Sequence, residues 1–432
     1  MSDRGAAPPA PVLGGGGPAV LWSLNGLRAA GALLVMLYHI NSWDLQVIRG
    51  SSAGFTGVGL FFVLSGFVLT WTARPGTTLG TFYLRRFARV YPNLFVTFLA
   101  GLLLSVTVLG ITPDPVAVLT GLTLTQSWSP DQQVVFAING VAWSLSCELA
   151  FYVVFPVLLW GLRRIPARQR VALAVVALLV PAVLGTLRPD LVPLLFHLPP
   201  SRLPEFVLGM VTAMAVQAGW RPRVPAPVLL AALAAGILGA ARFDLSSVVM
   251  TAVLAAVFAP LAARCAGGDI DGRNRWARHP AVIVAGGLSF AFYLVHELVI
   301  KALVATPVRG LVTIPLVTAV SAMLALVLYR GVEIPARRFL LGRSHPMLLP
   351  RADGQVTSRP RHGRPRSTWW SSPVAVATGT RGPGREQAER EHAEHDSADL
   401  GRTAGTEPGT GGRRRRGPEP AERQPVVADN LP

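Results

Sequence analysis

The chain has 432 residues, of which 51% are hydrophobic and only 15% are charged, whereas a typical soluble protein has about 25% charged residues. Its formal net charge of +17 is carried almost entirely by arginine, since Lys301 is the one lysine. Apolar residues fill the region from about 20 to 330, so the composition excludes a soluble globular protein and predicts a polytopic membrane protein. The arginines lie mostly between apolar segments, which favours membrane topology over nucleic-acid binding as the origin of the charge. Cys147 and Cys265 are too far apart in sequence to indicate a disulfide framework or a metal site.

Three regions follow from the pattern along the chain. Residues 1–19 form a Gly/Pro-rich, flexible N-terminal segment, and the lack of a charged stretch before a short apolar core predicts a retained anchor rather than a signal peptide. Residues 20–345 form the membrane domain, and residues 346–432 form an Arg/Gly/Pro-rich cytosolic tail that we expect to be disordered. The predicted fold class is all-α, a polytopic helix bundle of about ten transmembrane helices at 24–42, 54–73, 90–111, 139–161, 170–187, 203–219, 226–241, 246–263, 281–303 and 311–330.

The arginines divide unevenly between the two sides of this topology. With the N-terminus in the cytosol, the cytosolic connections carry Arg74, Arg85, Arg86, Arg89, Arg163, Arg164, Arg168, Arg170, Arg221, Arg223, Arg264, Arg273, Arg275, Arg278, Arg330, Arg337, Arg338 and Arg343. The outer connections carry only Arg49, Arg188, Arg202, Arg242 and Arg309. This asymmetry predicts a multi-pass protein of the plasma membrane with both termini in the cytosol.

The first apolar segment contains both an arginine and a histidine. Arg28 and His39 are eleven positions apart, close to three turns, so they share a helix face at roughly 16 Å along the axis. Titratable groups inside a membrane span are costly and usually face a protein-lined cavity. Because histidine exchanges a proton near neutral pH, His39 is a candidate catalytic base. The pair indicates a reaction centre inside the bilayer that is reached from the cytosolic face.

A second basic cluster precedes the third predicted span. Arg85, Arg86 and Arg89 are spaced so that one helix face is strongly basic. Guanidinium groups bind phosphates bidentately, so a cytosolic cofactor with several phosphates, such as coenzyme A, fits this cluster. Topology anchoring alone is the alternative.

The fourth predicted span carries a polar stripe of Ser144, Glu148 and Tyr152 at intervals of four. Glu148 lies near the middle of the membrane, where an unpaired carboxylate is costly, so we expect it to be paired with Arg or His, or protonated. Two interpretations stay open, an interhelical hydrogen-bond clamp and a group that orients the catalytic residues.

Two later spans add polar residues at the outer side. Arg202 stands against the positive-inside trend, and a local ion pair with Glu205 is the simpler alternative to a specific function. Ser289, Tyr293 and His296 share a face of the ninth span, and His296 reaches the same half of the membrane as His39. We therefore expect His39, Arg202 and His296 to converge, although a satisfied hydrogen-bonding role for His296 is the alternative.

Two segments outside the spans carry weaker signals. The polar loop from Thr112 to Ile138 either covers a substrate entrance or is an ordinary loop with an interfacial tryptophan. In the tail, Arg413–Arg416 either contacts anionic lipid or is solvated. His392 and His395 are not credible metal ligands in such a tail, so no metal is expected.

Taken in order, these segments resemble the acyltransferase-3 family of integral membrane acyltransferases, which includes O-antigen and exopolysaccharide acetylases and some macrolide acylases. The matching elements are Leu24–Arg28 with His39, Gly57–Phe67, Arg85–Pro92, Trp143–Glu148, Arg202–Phe206 and Ser289–His296. This chain departs from the family pattern at Asn25, at Ala29 and Ala30, and at Glu297, which follows His296 where an apolar residue or proline is more usual.

The resemblance implies transfer of an acyl group, usually acetyl from cytosolic acyl-CoA, to a hydroxyl of a carbohydrate or glycosylated acceptor. It implies catalytic roles for Arg28 and His39 and a donor site at Arg85, Arg86 and Arg89. With Glu148, Arg202 and His296, these residues make up the predicted site. Arg202 or His296 is expected to stabilise the oxyanion, and direct transfer and an acyl-histidine intermediate both stay open. A transporter or flippase of a lipid-linked or small substrate is the alternative function, although repeated halves are lacking, and a non-catalytic scaffold is a third. The oligomeric state is not predicted.

Overall fold

A computed structural model describes residues 20–45, 51–243 and 245–342, and these residues form helices joined by turns with no β-strand among them. The helices are α1 (Ser23–Ser42), α2 (Gly57–Thr72), α3 (Leu79–Thr107), α4 (Pro115–Thr123), α5 (Gln132–Phe136), α6 (Trp143–Arg164), α7 (Ala167–Leu187), α8 (Val192–His197), α9 (Pro199–Gln217), α10 (Ala226–Phe243), α11 (Ser247–Ile270), α12 (Pro280–Val304), α13 (Thr313–Leu328) and α14 (Ile334–Leu341). The predicted all-α class is confirmed. The predicted terminal segments 1–19 and 346–432 lie outside the described residues.

Seven helical segments of the described chain are long and apolar enough to cross a membrane, namely Ala53–Thr72, Leu79–Thr107, Gly140–Arg164, Ala167–Leu187, Ser247–Ile270, Pro280–Val304 and Thr313–Leu341. Each of the ten predicted spans falls on a helix, but the first, sixth and seventh correspond to α1, α9 and α10, which are not among the seven. Polar residues lower the hydropathy of α1 and α9, and the apolar part of α10 is short. The count of ten spans is therefore not confirmed, whereas a multi-pass helical membrane protein is.

Contact between α2 and α9 forms the centre of the bundle. In α2, 83% of the most apolar stretch is buried, against 28% in α7 at the periphery. A Cβ on Gly66 would overlap the carbonyl of Phe206, and one on Gly209 would overlap the carbonyl of Val63. Glycine on both helices thus lets the two backbones touch, which is a common route to tight packing where lipid removes the hydrophobic drive for association.

The first helix, α1, is held between α2 and α12 by the same device. A Cβ on Gly57 of α2 would overlap the backbone of Gly31, and one on Gly286 of α12 would overlap Asn25. Because both neighbours approach α1 at glycine, its rotation and depth in the bundle are fixed. The polar residues of α1 therefore face defined parts of α2 and α12.

The start of α1 is tied to the end of α11 through Asp269. Its Oδ2 accepts hydrogen bonds from the backbone N–H of Ser23 at 2.8 Å and from the Ser23 hydroxyl at 2.6 Å. Its Oδ1 accepts a hydrogen bond from Asn274 Nδ2 at 3.2 Å. A carboxylate from another helix thereby caps α1, whose own N-cap residue Trp22 makes no side-chain cap bond.

A π-helical turn, Tyr329–Glu333, joins α13 to α14. The turn presents the buried Glu333 to α3, where its carboxylate pairs with Arg89 and accepts a hydrogen bond from Asn93 Nδ2 at 2.8 Å. Arg337 of α14 lies 3.5 Å from the same carboxylate. Turns of this kind are rare and often occur at functional sites, and here the turn fixes one wall of the end of the bundle that carries the arginines.

The loop predicted between Thr112 and Ile138 is partly helical, since it contains α4 and α5. The Ser127 hydroxyl donates to the carbonyl of Trp143 at 2.6 Å, so the loop is fastened to the start of α6. Phe136, at the end of α5, lines the same cavity as His39. The loop therefore forms part of that cavity's wall.

The glycine contacts predict a specific response to added methyl groups. Gly209→Ala should lower the free energy of unfolding by about 1–3 kcal/mol, the usual cost of over-packing. Gly161→Ala is the matched control, because a Cβ at that position of α6 meets nothing within 4 Å, and it should be neutral or stabilising by about 0.5–1 kcal/mol. Thermal unfolding of both variants in one detergent measures the difference, and equal melting temperatures would contradict the packing role.

Candidate active site

Two histidines from different helices meet at one end of the bundle. His39 Nδ1 on α1 lies 3.2 Å from His296 Nε2 on α12, and the ring centroids are 5.2 Å apart. His296 is fully buried. The structure thus brings together two of the three residues that the sequence predicts to converge there.

The partners of the two rings assign their tautomers. His296 Nδ1 is 3.3 Å from the carbonyl of Phe292, which only accepts, so this nitrogen carries the hydrogen and His296 Nε2 has a free lone pair. His39 Nδ1 then carries a hydrogen that is shared between His296 Nε2 and the carbonyl of Val35 at 2.9 Å. The remaining nitrogen, His39 Nε2, is left with a lone pair, which is the state that a general base requires.

His39 lines a cavity of about 220 Å³, here called the smaller cavity. Its walls combine aromatic rings with a few polar groups, as ligand pockets commonly do. The other lining residues are Val35, Tyr38, Ser42, Phe55, Val58, Phe136, Gly140, Trp143, Phe196, Tyr293 and Glu297.

A buried carboxylate also lines the smaller cavity. Glu297 is 4% exposed, and its Oε1 lies 3.4 Å from Lys301 Nζ, which in turn donates to the carbonyl of Ile138 at 3.3 Å. Its Oε2 has no hydrogen-bond partner among the described residues. Gly140 makes room for this group, because a Cβ there would meet Glu297 Oε1 at 2.5 Å. The sequence marked Glu297 only as a departure from the family pattern, and its charge in an apolar helix was the signal available.

Arg202 lies behind the aromatic wall of the smaller cavity. Its guanidinium pairs with Glu205 at 2.9 Å and is 3.3 Å from the Thr251 hydroxyl. Its Cζ is 5.8 Å from the ring centroid of Trp143 and 5.6 Å from that of Phe196. Arg202 lines neither of the two cavities described. The local ion pair with Glu205 is present, and it is buried.

A cavity of about 840 Å³, here called the larger cavity, opens at the arginine-rich end. Six arginines line it, and Glu148 is the one carboxylate among its described lining residues. Such an excess of guanidinium groups favours an anionic ligand with several phosphates. These arginines are Arg28, Arg74, Arg85, Arg86, Arg89 and Arg337.

The arginines of the predicted donor cluster differ in their partners. Arg89 pairs with Glu333, and its Cζ lies 5.1 Å from the ring centroid of Phe290. Arg85 and Arg86 have no carboxylate within ion-pair distance among the described residues, and Arg86 Cζ lies 5.9 Å from the ring centroid of Tyr152. Two guanidinium groups are therefore available to a ligand. Arg74 and Arg337 were not predicted for this cavity, because a loop and the π-helical turn bring them there.

Glu148 belongs to the larger cavity rather than to the histidine pair. Its Oε1 accepts hydrogen bonds from the Ser65 hydroxyl at 2.8 Å and from the Tyr152 hydroxyl at 2.5 Å. These hydroxyls, rather than an ion pair, satisfy the carboxylate in the described part of the chain. The bond to Ser65 joins α6 to α2, as the clamp interpretation requires, and the carboxylate still faces the cavity.

Tyr293 of α12 lies between the two cavities and is the one described residue that lines both. Its hydroxyl donates to the carbonyl of Val141 at 3.2 Å and lies 2.8 Å from Ser144 Oγ. Its ring packs edge-on against Phe61, with the centroids 5.4 Å apart. The side chain is therefore anchored in the wall that separates the arginines from His39.

No group of histidine, cysteine, aspartate or glutamate side chains within the described ranges could hold a metal ion. The two cavities offer a histidine with a free lone pair and arginines that can bind an anion. Both are parts of group transfer from a phosphorylated carrier.

Comparison with known proteins gives an independent result. A family model described as an acyltransferase domain matches residues 21–330. Acyltransferase MdmB of Streptomyces mycarofaciens is 36% identical over 307 residues, which cover 65% of this chain and 79% of that protein. No solved structure matches.

Two further relatives match over shorter stretches. Peptidoglycan O-acetyltransferase OatA of Listeria monocytogenes is 36% identical over 91 residues, 19% of this chain and 14% of that protein. A putative O-acetyltransferase of Staphylococcus aureus is 31% identical over 151 residues, 32% of this chain and 24% of that protein. Each of these two matches thus spans a small part of the relative concerned. Because the family match covers most of the chain, the protein belongs to the acyltransferase-3 family and is an O-acyltransferase.

Proposed function

We propose that the protein transfers an acyl group, most simply acetyl, from acyl-CoA to a hydroxyl of a carbohydrate or glycosylated acceptor. The observation that carries this proposal is the division of the site into an arginine-lined larger cavity and a smaller cavity lined by His39. The first suits a carrier with several phosphates, and the second suits a neutral hydroxyl compound beside a base. The peptidoglycan named for the Listeria relative supports a carbohydrate acceptor. Membership of an acyltransferase family favours this chemistry over transport.

The donor would bind with its phosphates on Arg85, Arg86 and Arg89. Arg89 is fixed by Glu333, so it presents a positioned charge, whereas Arg85 and Arg86 have no carboxylate partner among the described residues. The pantetheine arm would extend past Arg28, which lines the same cavity. Acyl-CoA is a cytosolic metabolite, so this end of the bundle would face the cytosol at the plasma membrane, as the arginine asymmetry favours.

Chemistry would take place at His39 Nε2. This nitrogen would remove the proton from the acceptor hydroxyl as the hydroxyl oxygen bonds to the acyl carbon. The carbon–sulfur bond would then break, and the proton would pass from His39 to the thiolate of CoA. His296 would hold His39 in the required tautomer through the bond between His39 Nδ1 and His296 Nε2. Glu148 would position Tyr152 and Ser65 in the larger cavity. Arg202 would support the aromatic wall next to the acceptor.

His39→Ala should abolish acyl transfer, because a positioned general base contributes about 10²–10⁴-fold to a rate. Membranes with wild-type or variant protein would receive acetyl-CoA labelled on the acetyl group. Loss of label from the thioester, and its appearance in lipid, polymer or water, would be followed. His279→Ala is the matched control, since His279 is exposed and lies outside both cavities. Normal transfer by His39→Ala at equal expression would contradict the proposal.

His296→Ala should lower kcat and leave the KM for acetyl-CoA unchanged, because His296 contacts the base rather than the donor cavity. His296→Gln should recover part of the loss, since an amide oxygen can accept the hydrogen of His39 Nδ1. Steady-state kinetics of the two variants separate positioning from a general loss of structure. Equal defects in both variants, with a raised KM, would argue against the assigned hydrogen bond.

Arg85→Ala and Arg86→Ala should each weaken CoA binding by about 10- to 100-fold, since a charged hydrogen bond contributes about 1.5–3 kcal/mol. Titration calorimetry with CoA measures this change on purified protein. Arg188→Ala is the control, because Arg188 is an exposed arginine whose partner is Asp190 at 2.8 Å. If all three variants bind CoA as the wild type does, the donor site lies elsewhere.

A further inference from the structure

Donor and acceptor have to meet for acyl transfer, and Tyr293 is the one described residue that lines both cavities. Reacting atoms need to approach to about 3–3.5 Å. The arginines lie on one side of Tyr293 and His39 on the other. A thioester that enters from the arginine-rich end therefore reaches Tyr293 before it reaches the base.

We propose that Tyr293 is a specificity-determining residue, whose ring keeps a bound thioester away from His39 and from the water of the smaller cavity until the side chain turns. This inference rests on the proposed function and adds to it. Tyr293 thereby decides whether the acyl group goes to the acceptor or to water. Excluding water from a reactive intermediate is a general requirement of group-transfer sites.

The contacts of Tyr293 suit a side chain that separates the thioester from His39 and can still rotate away. Its hydroxyl contacts Ser144 of α6 and the carbonyl of Val141, and both are neutral partners. A neutral hydrogen bond contributes only modestly to stability, so a bound ligand can displace the hydroxyl. The ring of Tyr293 is held by ring contacts with Phe61 and His296 rather than by a covalent or ionic link.

Movement of Tyr293 breaks none of the hydrogen bonds that hold the base, although its ring contacts the His296 ring with the centroids 5.8 Å apart. His39 is held by His296 and by the carbonyl of Val35, and His296 is held by the carbonyl of Phe292. The Tyr293 hydroxyl takes part in none of these bonds. The Tyr293 ring and the hydrogen bonds that hold His39 are therefore independent. Removing the Tyr293 ring should expose His39 to the donor.

The side reaction that the ring prevents is hydrolysis. His39 Nε2 would take a proton from water as the water oxygen bonds to the acyl carbon, the carbon–sulfur bond would break, and the proton would pass to the thiolate. The products are free carboxylic acid and CoA. No further reactant is required.

The test measures hydrolysis of acetyl-CoA by purified protein with no acceptor added. Tyr293→Ala should hydrolyse acetyl-CoA faster than the wild type by about 10²-fold, the lower end of what a positioned base contributes. Tyr293→Phe keeps the ring but loses both hydrogen bonds, and it should show a much smaller rise. Tyr293→Leu repeats the test if the alanine variant does not fold. The double variant Tyr293→Ala with His39→Ala should return to the wild-type rate.

Binding of CoA, measured on the same samples, distinguishes a failure of the proposed function from a failure of the role proposed for Tyr293. If the wild type does not bind CoA, or binds it independently of Arg85 and Arg86, the proposed function fails. If CoA binds normally but Tyr293→Ala and Tyr293→Leu hydrolyse no faster than Tyr293→Phe, the role proposed for Tyr293 is wrong and the proposed function stands. A rise that survives loss of His39 would also overturn that role, since the exposed base would not be its cause.

Discussion

A charged group inside an apolar bundle needs a partner, and this constraint orders the polar residues of the protein. Arg202 is matched by Glu205, Lys301 by Glu297 and Arg89 by Glu333, in each case between largely buried side chains. These pairs lie within or between helices and hold them in place. Arg85 and Arg86, which line the larger cavity, have no carboxylate within ion-pair distance among the described residues.

Several arginines with no carboxylate within ion-pair distance among the described residues line the larger cavity. Arg28, Arg85 and Arg86 come from α1 and α3 and face the same space. The close packing of α1 against α2 and α12 at Gly57 and Gly286 makes this arrangement rigid. The same packing brings His39 to His296 at the opposite end of α1. One helix thus carries Arg28, which lines the larger cavity, and His39, which lines the smaller cavity.

Much of the fold was accessible from hydropathy alone. All ten predicted segments fall on helices, because long apolar runs have few alternatives in a membrane. The number of helices that cross the membrane could not be predicted from hydropathy. Helices α1 and α9 carry polar residues, and the free-energy cost of burying them depends on partners such as Glu205 that only the packed structure identifies. The meeting of His39 and His296 followed from their depth along the helices.

Other parts of the site depend on packing that no spacing rule describes. Arg202 was expected beside the histidines, but Glu205 and the rings of Trp143 and Phe196 hold it behind the wall. Glu148 was expected to be paired with Arg or His, or to be protonated, and in the structure two hydroxyls donate hydrogen bonds to it. The position of Tyr293 between two cavities depends on how three helices and a loop close around it, so its periodicity on α12 alone could not reveal it.

The tautomers of the histidine pair also limit how a proton can leave the site. His296 Nδ1–H donates to the backbone carbonyl of Phe292, and a backbone carbonyl does not take up a proton. A charge formed on His39 therefore has no relay through His296 towards solvent. Under the proposed function, the direct route is that the nitrogen that takes the proton from the acceptor returns it to the departing sulfur. Both substrates then approach the same edge of one imidazole ring. Direct transfer by this route therefore requires a ternary complex, in which donor and acceptor share one lone pair of His39.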